Sequence, residues 1–315
     1  MDTEDVVVII PTLDEATTVG EVVAGFRMQG FDVVVVDGNS QDGTPTVAAE
    51  AGATVLEQRG RGKGAAVREA VAATDRPVIV LVDGDGTYRP EEVGELLAPL
   101  DAGAAHVIGN RFGGMQPGAM TRLNRLGNRA INWGFRRIHG VGLADILSGY
   151  RAFTRSSYRA LQLTADGFGI ETQMAVECAK RGVPTAEVDI TYRPRVAGSE
   201  TNLRPVRDGG IIIIELLRRA KTTNPLVYFG SLGAAVMLLG AVVGGYVVYR
   251  WSTAGASHEL LAVAAVAGVI FGGQLLIFGF LADMLVSLQH ELVDRMGEAS
   301  GSAEEVPDRS EVRRG

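Results

Sequence analysis

Apolar residues are distributed along this chain in two regimes. Over the first half, short runs rich in β-branched residues at 6–10, 33–36, 78–82 and 106–108 alternate with stretches of helical composition at 17–28, 44–51, 65–73 and 90–100. Runs that are apolar at every position predict strands covered on both faces, and therefore a parallel sheet. Pro90 suits a helix start. The alternation predicts an α/β fold of doubly wound, mainly parallel type, in which ligands bind beyond the carboxyl ends of the strands.

The second half reads differently. Residues 225–249 and 260–282 are almost free of charge, and each stretch covers the roughly 20 residues that a helix needs to cross a bilayer. Gly240, Gly244, Gly245, Gly268, Gly272 and Gly273 favour close helix-to-helix contact. The link at 250–259 is short, which predicts a two-helix transmembrane hairpin. Arg218, Arg219 and Lys221 precede the first span and the link offers only Arg250, so the positive-inside rule predicts a multi-pass protein of the cell membrane with its N-terminal domain and C-terminus cytoplasmic. Residues 1–5 are acidic and run into the first strand, which speaks against a cleavable signal peptide.

Between these regimes lie two amphipathic stretches. Residues 120–138 mix Leu123, Leu126, Ile131, Phe135 and Ile138 with Arg122, Arg125, Arg129, Arg136 and Arg137. That is the pattern of a helix lying in a membrane surface, with an ordinary surface helix as the alternative. Residues 208–221 repeat the pattern just before the first span, and the polar tail beyond residue 296 is expected to be disordered.

Composition narrows the function. A net charge of −7 and only three lysines, Lys63, Lys180 and Lys221, argue against a nucleic-acid binder and suit a salt-rich cytoplasm. The single cysteine, Cys178, allows neither an internal disulfide nor a thiolate metal cluster.

The candidate chemistry sits at the strand tips. One strand ends in Pro11-Thr12-Leu13-Asp14-Glu15, another in Asp37-Gly38-Asn39-Ser40, and a third in Asp83-Gly84-Asp85-Gly86-Thr87. Alone, each could be a capped turn, since Asp and Asn favour such places. Together they bring carboxylates to one sheet edge, and the pair Asp83 and Asp85 suits Mg2+ or Mn2+, hard cations that share oxygen ligands with substrate phosphates. Gly84 leaves room for a ribose or phosphate against the backbone.

The strings IPTLDE, VVDGNSQDGT, RGKGAAV, LVDGDG, GNRF, DILSGYRAF and GFGIETQMAVECAKRG occur in that order. This set resembles the family 2 glycosyltransferases of GT-A fold, above all the dolichyl-phosphate hexosyltransferases, and among them the archaeal enzymes that initiate lipid-linked glycan assembly for protein N-glycosylation. The resemblance implies a nucleotide site of Pro11, Thr12, Leu13, Glu15, Asp37, Lys63, Asp83 and Gly84, with Asp83 and Asp85 as metal ligands. It implies an acceptor-phosphate site of Arg111, Arg122, Arg125, Ser148 and Arg151, near Asp145, and catalytic roles for Asp85, Arg111 and Glu171. For Glu171 a plain helix-start carboxylate is the competing reading.

The reaction so implied is inverting transfer of a hexose from a nucleotide-sugar, UDP-glucose ahead of GDP-mannose, to dolichyl or polyprenyl phosphate. Its partners are donor, lipid acceptor and membrane, with no nucleic acid; oligomeric state, a homo-oligomer included, is left open. The implied layout is a GT-A catalytic domain over 1–207, an interface helix over 208–223, two spans within 224–283 and a cytoplasmic tail over 284–315.

Several positions depart from the family pattern. Asp14 replaces a usual Asn, Gly38 a frequent Asp, and Thr87 stands where some mannosyl members carry Gln. The Gly-x-Ser-Lys element reads Gly198-Ser199-Glu200-Thr201-Asn202, so Arg204 or Arg207 is expected to serve the phosphates instead of the missing lysine.

Three other readings fit the residues less well. A processive polysaccharide synthase usually carries Gln-x-x-Arg-Trp, which is absent. A catalytically inactive nucleotide-sugar binding protein sits poorly with an intact Asp83-Gly84-Asp85. Residues 60–65 fit a loose dinucleotide pattern, but not in the first βα turn where that pattern belongs.

Overall fold

The computed structural model describes residues 1–167, 169–196, 224–255 and 257–304, the last of these by backbone alone at residue 287 and beyond residue 288. The expectations for Gly198 to Asn202, Arg204, Arg207, the helix at 208–223 and the cluster Arg218, Arg219 and Lys221 lie outside the described residues. The chain divides into two compact units, Met1–Leu216 and Leu217–Gly315.

The first unit is built on a seven-stranded sheet: β1 Val6–Thr12, β2 Asp32–Asp37, β3 Thr54–Glu57, β4 Val78–Leu81, β5 His106–Met115, β6 Arg151–Thr154 and β7 Thr185–Tyr192. Their order across the sheet is β3-β2-β1-β4-β6-β5-β7. Among the described strands only β6 opposes the rest, pairing antiparallel with both β4 and β5. Its N-terminal end therefore lies at the edge where β1, β2 and β4 have their carboxyl ends, and residues just before β6 join the loops at that edge.

Helices cover both faces: α1 Val19–Arg27, α2 Thr44–Glu50, α3 Lys63–Ala73, α4 Val93–Asp101, α5 Arg122–His139, α6 Arg155–Ala160 and α7 Ile170–Arg181. The helix expected at 90–100 begins as a 3-10 turn, Pro90–Glu92, before α4. Strand pleat explains the two cores. Val6, Val8 and Ile10 of β1 point to the side of Val22, Phe26 and Leu96, while Val7 and Ile9 point to the side of Val67, Ala70 and Met174. Burying each of these Val, Ile, Leu, Phe and Met side chains contributes roughly 1.5–3 kcal/mol.

Helix α5 covers the expected amphipathic stretch. The Thr121 hydroxyl caps its start by accepting from Asn124 N at 3.2 Å, and Gly140 ends it in the left-handed region at φ 69°. Ile131, Phe135 and Ile138 are buried, while Leu123, Leu126 and Trp133 are exposed.

Among the described residues the second unit has two helices, α8 Pro225–Ala254 and α9 Glu259–Glu304, both long and apolar enough to cross a membrane. Little of either is covered by protein, unlike a soluble core helix. The helices approach at Gly233 and Gly272, where a Cβ on Gly233 would stand 2.5 Å from the Gly272 carbonyl oxygen, and again where Gly240 faces Ala265 and Val269. Gly268 and Gly272 serve this contact as expected, whereas Gly245 faces open space. The segment beyond residue 296, expected to be disordered, continues α9 as far as Glu304.

Candidate active site

The tips of β1 and β2 lie in register, with Thr12 opposite Asp37. Asp37 is 4% exposed, and its carboxylate accepts from Ser40 N at 2.8 Å, Ser40 Oγ at 2.6 Å and Thr12 Oγ1 at 3.3 Å. The next turn is knitted the same way: Asp14 N donates to Ser40 Oγ, Gln41 N to Asp14 Oδ1, and Glu15 N to Thr44 Oγ1. Asp14 and Asn39 hold positive φ, 56° and 68°, and these hydrogen bonds keep the two loops in that strained region.

Next along the edge comes Asp83-Gly84-Asp85. Asp85 is 2% exposed; Thr87 donates to its Oδ1 from N at 3.0 Å and from Oγ1 at 2.6 Å, while Arg195 Nη2 pairs with its Oδ2 at 2.6 Å. Burial, then repulsion from Asp83, pushes the Asp85 carboxyl above its ordinary range, with Arg195 and Thr87 pulling the other way. Burial also raises Glu15, to about 8, with Asp85 and Asp83 adding to the effect. Glu15 Oε2 is buried and has no hydrogen-bond partner, and a Cβ at Gly84 would run into it.

Lys63, the first residue of α3, ties this edge to α7. Gly64 N donates to the Asp166 carbonyl at 2.9 Å, so the loop before α7 lies on the start of α3, and a Cβ at Gly64 would strike the Ala165 carbonyl. Glu171, in the first turn of α7, thereby meets Lys63 Nζ at 2.5 Å, and the same ammonium pairs with Asp83. Burial works against the Lys63 charge, but Asp83 and Glu171 outweigh it and hold its pKa above the ordinary lysine value.

A tier of aromatic rings stands on the other side. Tyr88 and Tyr192 have centroids 5.4 Å apart, and Tyr88 lies equally close to Tyr150. The Arg111 guanidinium sits 5.3 Å from the Tyr192 ring. It is bidentate to Asp145, Nε to Oδ2 at 2.7 Å and Nη2 to Oδ1 at 2.8 Å, and Nη2 also donates to Asn128 Oδ1 at 2.9 Å. Burial opposes this charge too, yet Asp145 overrides it and raises the Arg111 pKa well above its usual value. Asp145 is set by Glu187, whose carboxylate accepts from Ala144 N and Asp145 N.

The family model described as Glycosyl transferase family 2 matches residues 7–161. Glycosyltransferase AglJ of Haloferax volcanii is 54% identical over 301 residues, 95% of this chain and 99% of its own. The chain belongs to glycosyl transferase family 2. A dolichyl-phosphate hexose transferase of the same organism is 37% identical to this glycosyltransferase over 66% of the chain and 91% of its own length. Glucosyl-3-phosphoglycerate synthase of Mycobacterium tuberculosis, solved with Mn2+, UDP and glucosyl-3-phosphoglycerate, superposes at a TM-score of 0.58 with 25% identity, covering 68% of this chain and 79% of that one. The first unit has the GT-A fold.

Within this glycosyltransferase the residues anticipated from sequence divide into four groups. Thr12, Glu15, Asp37, Lys63, Asp83, Gly84 and Asp85 gather at one edge, with Pro11 half-buried and Leu13 40% exposed beside them. Arg111 stands beyond Tyr192, near Asp145 and Asn128. Arg122 is exposed and Arg125 half-buried on the first turns of α5.

Arg151 and Ser148 take positions other than those expected of acceptor contacts. Arg151 is 0% exposed, and its guanidinium donates to the Ser148 carbonyl at 2.8 Å and the Ile146 carbonyl at 2.5 Å, with His106 Nε2 at 3.3 Å. A group so placed shapes the loop that carries Asp145 and Gly149. Ser148 is likewise fully buried.

Tyr88, Asn128, Glu187, Tyr192 and Arg195 were missed. Tyr88 follows the acidic motif directly and could have been read as part of it. The others carry no local signal, because strand pairing and helix packing bring them to the site.

Among the described residues no three His, Cys, Asp or Glu side chains form a ready metal cage. Two carboxylates are what Mg2+ needs when it keeps waters and shares substrate phosphates. The unpartnered Glu15 oxygen and the mutual repulsion of Glu15, Asp83 and Asp85 mark an excess of negative charge that a divalent cation would relieve. The donor set fits such an ion.

Proposed function

We propose that this glycosyltransferase moves a hexose from a nucleotide-sugar, UDP-glucose ahead of GDP-mannose, to the phosphate of a dolichyl or polyprenyl lipid, inverting the anomeric centre. The observation that carries the reading is the acidic edge of half-buried Asp83 and buried Asp85, held by Lys63 and Arg195, with the Arg111 guanidinium beyond Tyr192. The names of two relatives, the dolichyl-phosphate hexose transferase and a polyprenol monophosphomannose synthase of Mycolicibacterium smegmatis, agree with a lipid-phosphate acceptor, and UDP in the neighbouring structure agrees with the donor.

Thr12, Asp37 and Gly84 shape a pocket edge for the nucleoside, with Pro11 and Leu13 alongside. Mg2+ or Mn2+ at Asp83 and Asp85 would neutralise the departing diphosphate. The acceptor phosphate, with a second pKa near 6 for a monoester, is already anionic at neutral pH and attacks the anomeric carbon without a dedicated base. The nucleoside diphosphate leaves with the bonding electrons. Asp145 and Asn128 engage Nε and Nη2 of Arg111, and its Nη1 is the end offered to phosphate, with Arg122 and Arg125 of α5 adding positive charge. Glu171 acts by clamping Lys63 against Asp83, and Arg151 by shaping the 145–149 loop.

In this reading residues 1–207 form the catalytic domain, 224–283 the spans and 284–315 the tail, with domain and tail in the cytoplasm. Purified full chain offered a panel of nucleotide-sugars with a polyprenyl phosphate and Mn2+ should give one organic-extractable lipid-phosphate sugar. A polymer, or no lipid product with any donor, would overturn the proposal.

A further inference from the structure

Helix α5 carries Arg122, Arg125, Arg129, Arg136 and Arg137 and no carboxylate. Beside its second half lies a cavity of about 410 Å³ lined by Phe112, Arg129, Asn132, Trp133, Arg136 and Ala144. Four of these residues follow i, i+3, i+4, i+7 spacing, so a single helix face forms most of the wall. Phe112 of β5 and Ala144 of the loop before β6 close it.

Asn132 is 1% exposed. Its Oδ1 accepts from Ile146 N at 3.1 Å, which fixes which end of the amide is the oxygen. The other end, Nδ2, is a buried donor with no partner in the protein. The cavity thus combines two guanidinium groups, that of Arg136 also donating to the Leu143 carbonyl at 3.3 Å, one unpartnered amide donor and two aromatic walls, and its lining includes none of Arg111, Asp145 and Asn128, which bond to one another.

We infer that this cavity binds the phosphodiester headgroup of an anionic bilayer lipid. Arg129, Arg136 and Asn132 Nδ2 donate to the phosphate, and Trp133 and Phe112 lie along the apolar stem below it. Free phosphate would use the donors and leave the aromatic walls without contact; a lipid headgroup uses both. Leu123 and Leu126, 69% and 67% exposed on the same helix, continue the apolar surface that a lipid-bound helix needs. Basic residues at a membrane surface draw anionic lipids in the same way.

The chain has two tryptophans, so Trp251→Phe leaves Trp133 as the sole reporter. Full-length protein in neutral detergent would be titrated with dihexanoyl phosphatidylglycerol, dihexanoyl phosphatidylcholine, inorganic phosphate and farnesyl phosphate, following Trp133 emission. A saturable blue shift with phosphatidylglycerol is expected, at least ten-fold weaker with phosphatidylcholine and with inorganic phosphate. Arg129→Gln with Arg136→Gln should weaken it at least ten-fold, and Asn132→Asp, which replaces the donor by an acceptor, should do so with an unchanged circular-dichroism spectrum. An equal response to phosphatidylcholine, an equal response to inorganic phosphate, or no loss in the arginine variant would overturn the inference. So would displacement by equimolar farnesyl phosphate, which would assign the cavity to the acceptor.

Discussion

Lys63 and Glu171 meet at 2.5 Å inside the first unit, the ammonium 10% and the carboxylate 5% exposed. Because the same ammonium pairs with Asp83, one lysine joins the acidic strand tip to the start of α7. Removing it leaves two largely buried carboxylates without their counter-charge, and breaking a buried pair from one side costs about 3–5 kcal/mol. Lys63→Met is expected to lose stability of that order in denaturant unfolding. In a double-mutant cycle, Lys63→Met with Glu171→Gln should lose clearly less than the sum of the single losses.

Asp85→Ala should abolish sugar transfer without lowering the melting temperature. Asp85 is a repelling neighbour of Asp83, and its partner Arg195 is 35% exposed, so water can reach the guanidinium in place of the carboxylate. Turnover near the wild-type level would remove Asp85 from the reaction.

Gly149 backs directly onto Asp83, and a Cβ there would overlap the carboxylate. Lys63 holds Asp83 from the other side, so the carboxylate cannot yield without breaking that pair. Gly149→Ala is expected to cut transfer by about 10²-fold, the scale of loss for an ångström of misplacement. Steady-state rates across a Mn2+ titration would check this, with far-UV circular dichroism confirming the fold.

His106 is fully buried, and burial together with Arg151 holds its pKa well below the ordinary value. The unfolded chain therefore takes up a proton near pH 6.5 that the folded chain refuses. Stability should be fully present above about pH 6.5 and decline below it, by at most roughly 1.4 kcal/mol per pH unit for one proton. His106→Gln should flatten that part of the stability profile measured by denaturant unfolding between pH 4.5 and 7.5, and an unchanged slope would argue against the buried neutral imidazole.

In the second unit, Gly233 and Gly272 let two backbones touch. Gly233→Leu should force α8 and α9 apart and lower the detergent concentration at which the unit unfolds in mixed micelles. Gly245→Leu, on the open side of α8, should leave it unchanged.

Much of this was legible in the residues. β1, β2 and β4 are buried on both faces, so they read as unbroken Val and Ile runs, and the acidic tips that follow them had to share an edge. β3, β6 and β7 were not read as strands. β6 is four residues long and runs against its neighbours, and β7 mixes Thr, Glu and Asp because much of it is only half covered. The ion pair of Lys63 with Glu171 could not be read either, since it depends on the packing of a loop before α7 against the start of α3. The bonds from the Arg151 guanidinium to the Ser148 and Ile146 carbonyls were not legible either, for the same reason.

Residues 7–161 are the stretch that the family model shares, yet Glu171, Glu187, Tyr192 and Arg195 all come later in the chain. The stretch that the family model matches is thus shorter than the portion that neutralises the charged centre. A chimera joined at residue 161 would inherit Lys63 with a single acidic neighbour and Asp85 without its guanidinium. Transplanting the activity means carrying residues 162–196 along with it.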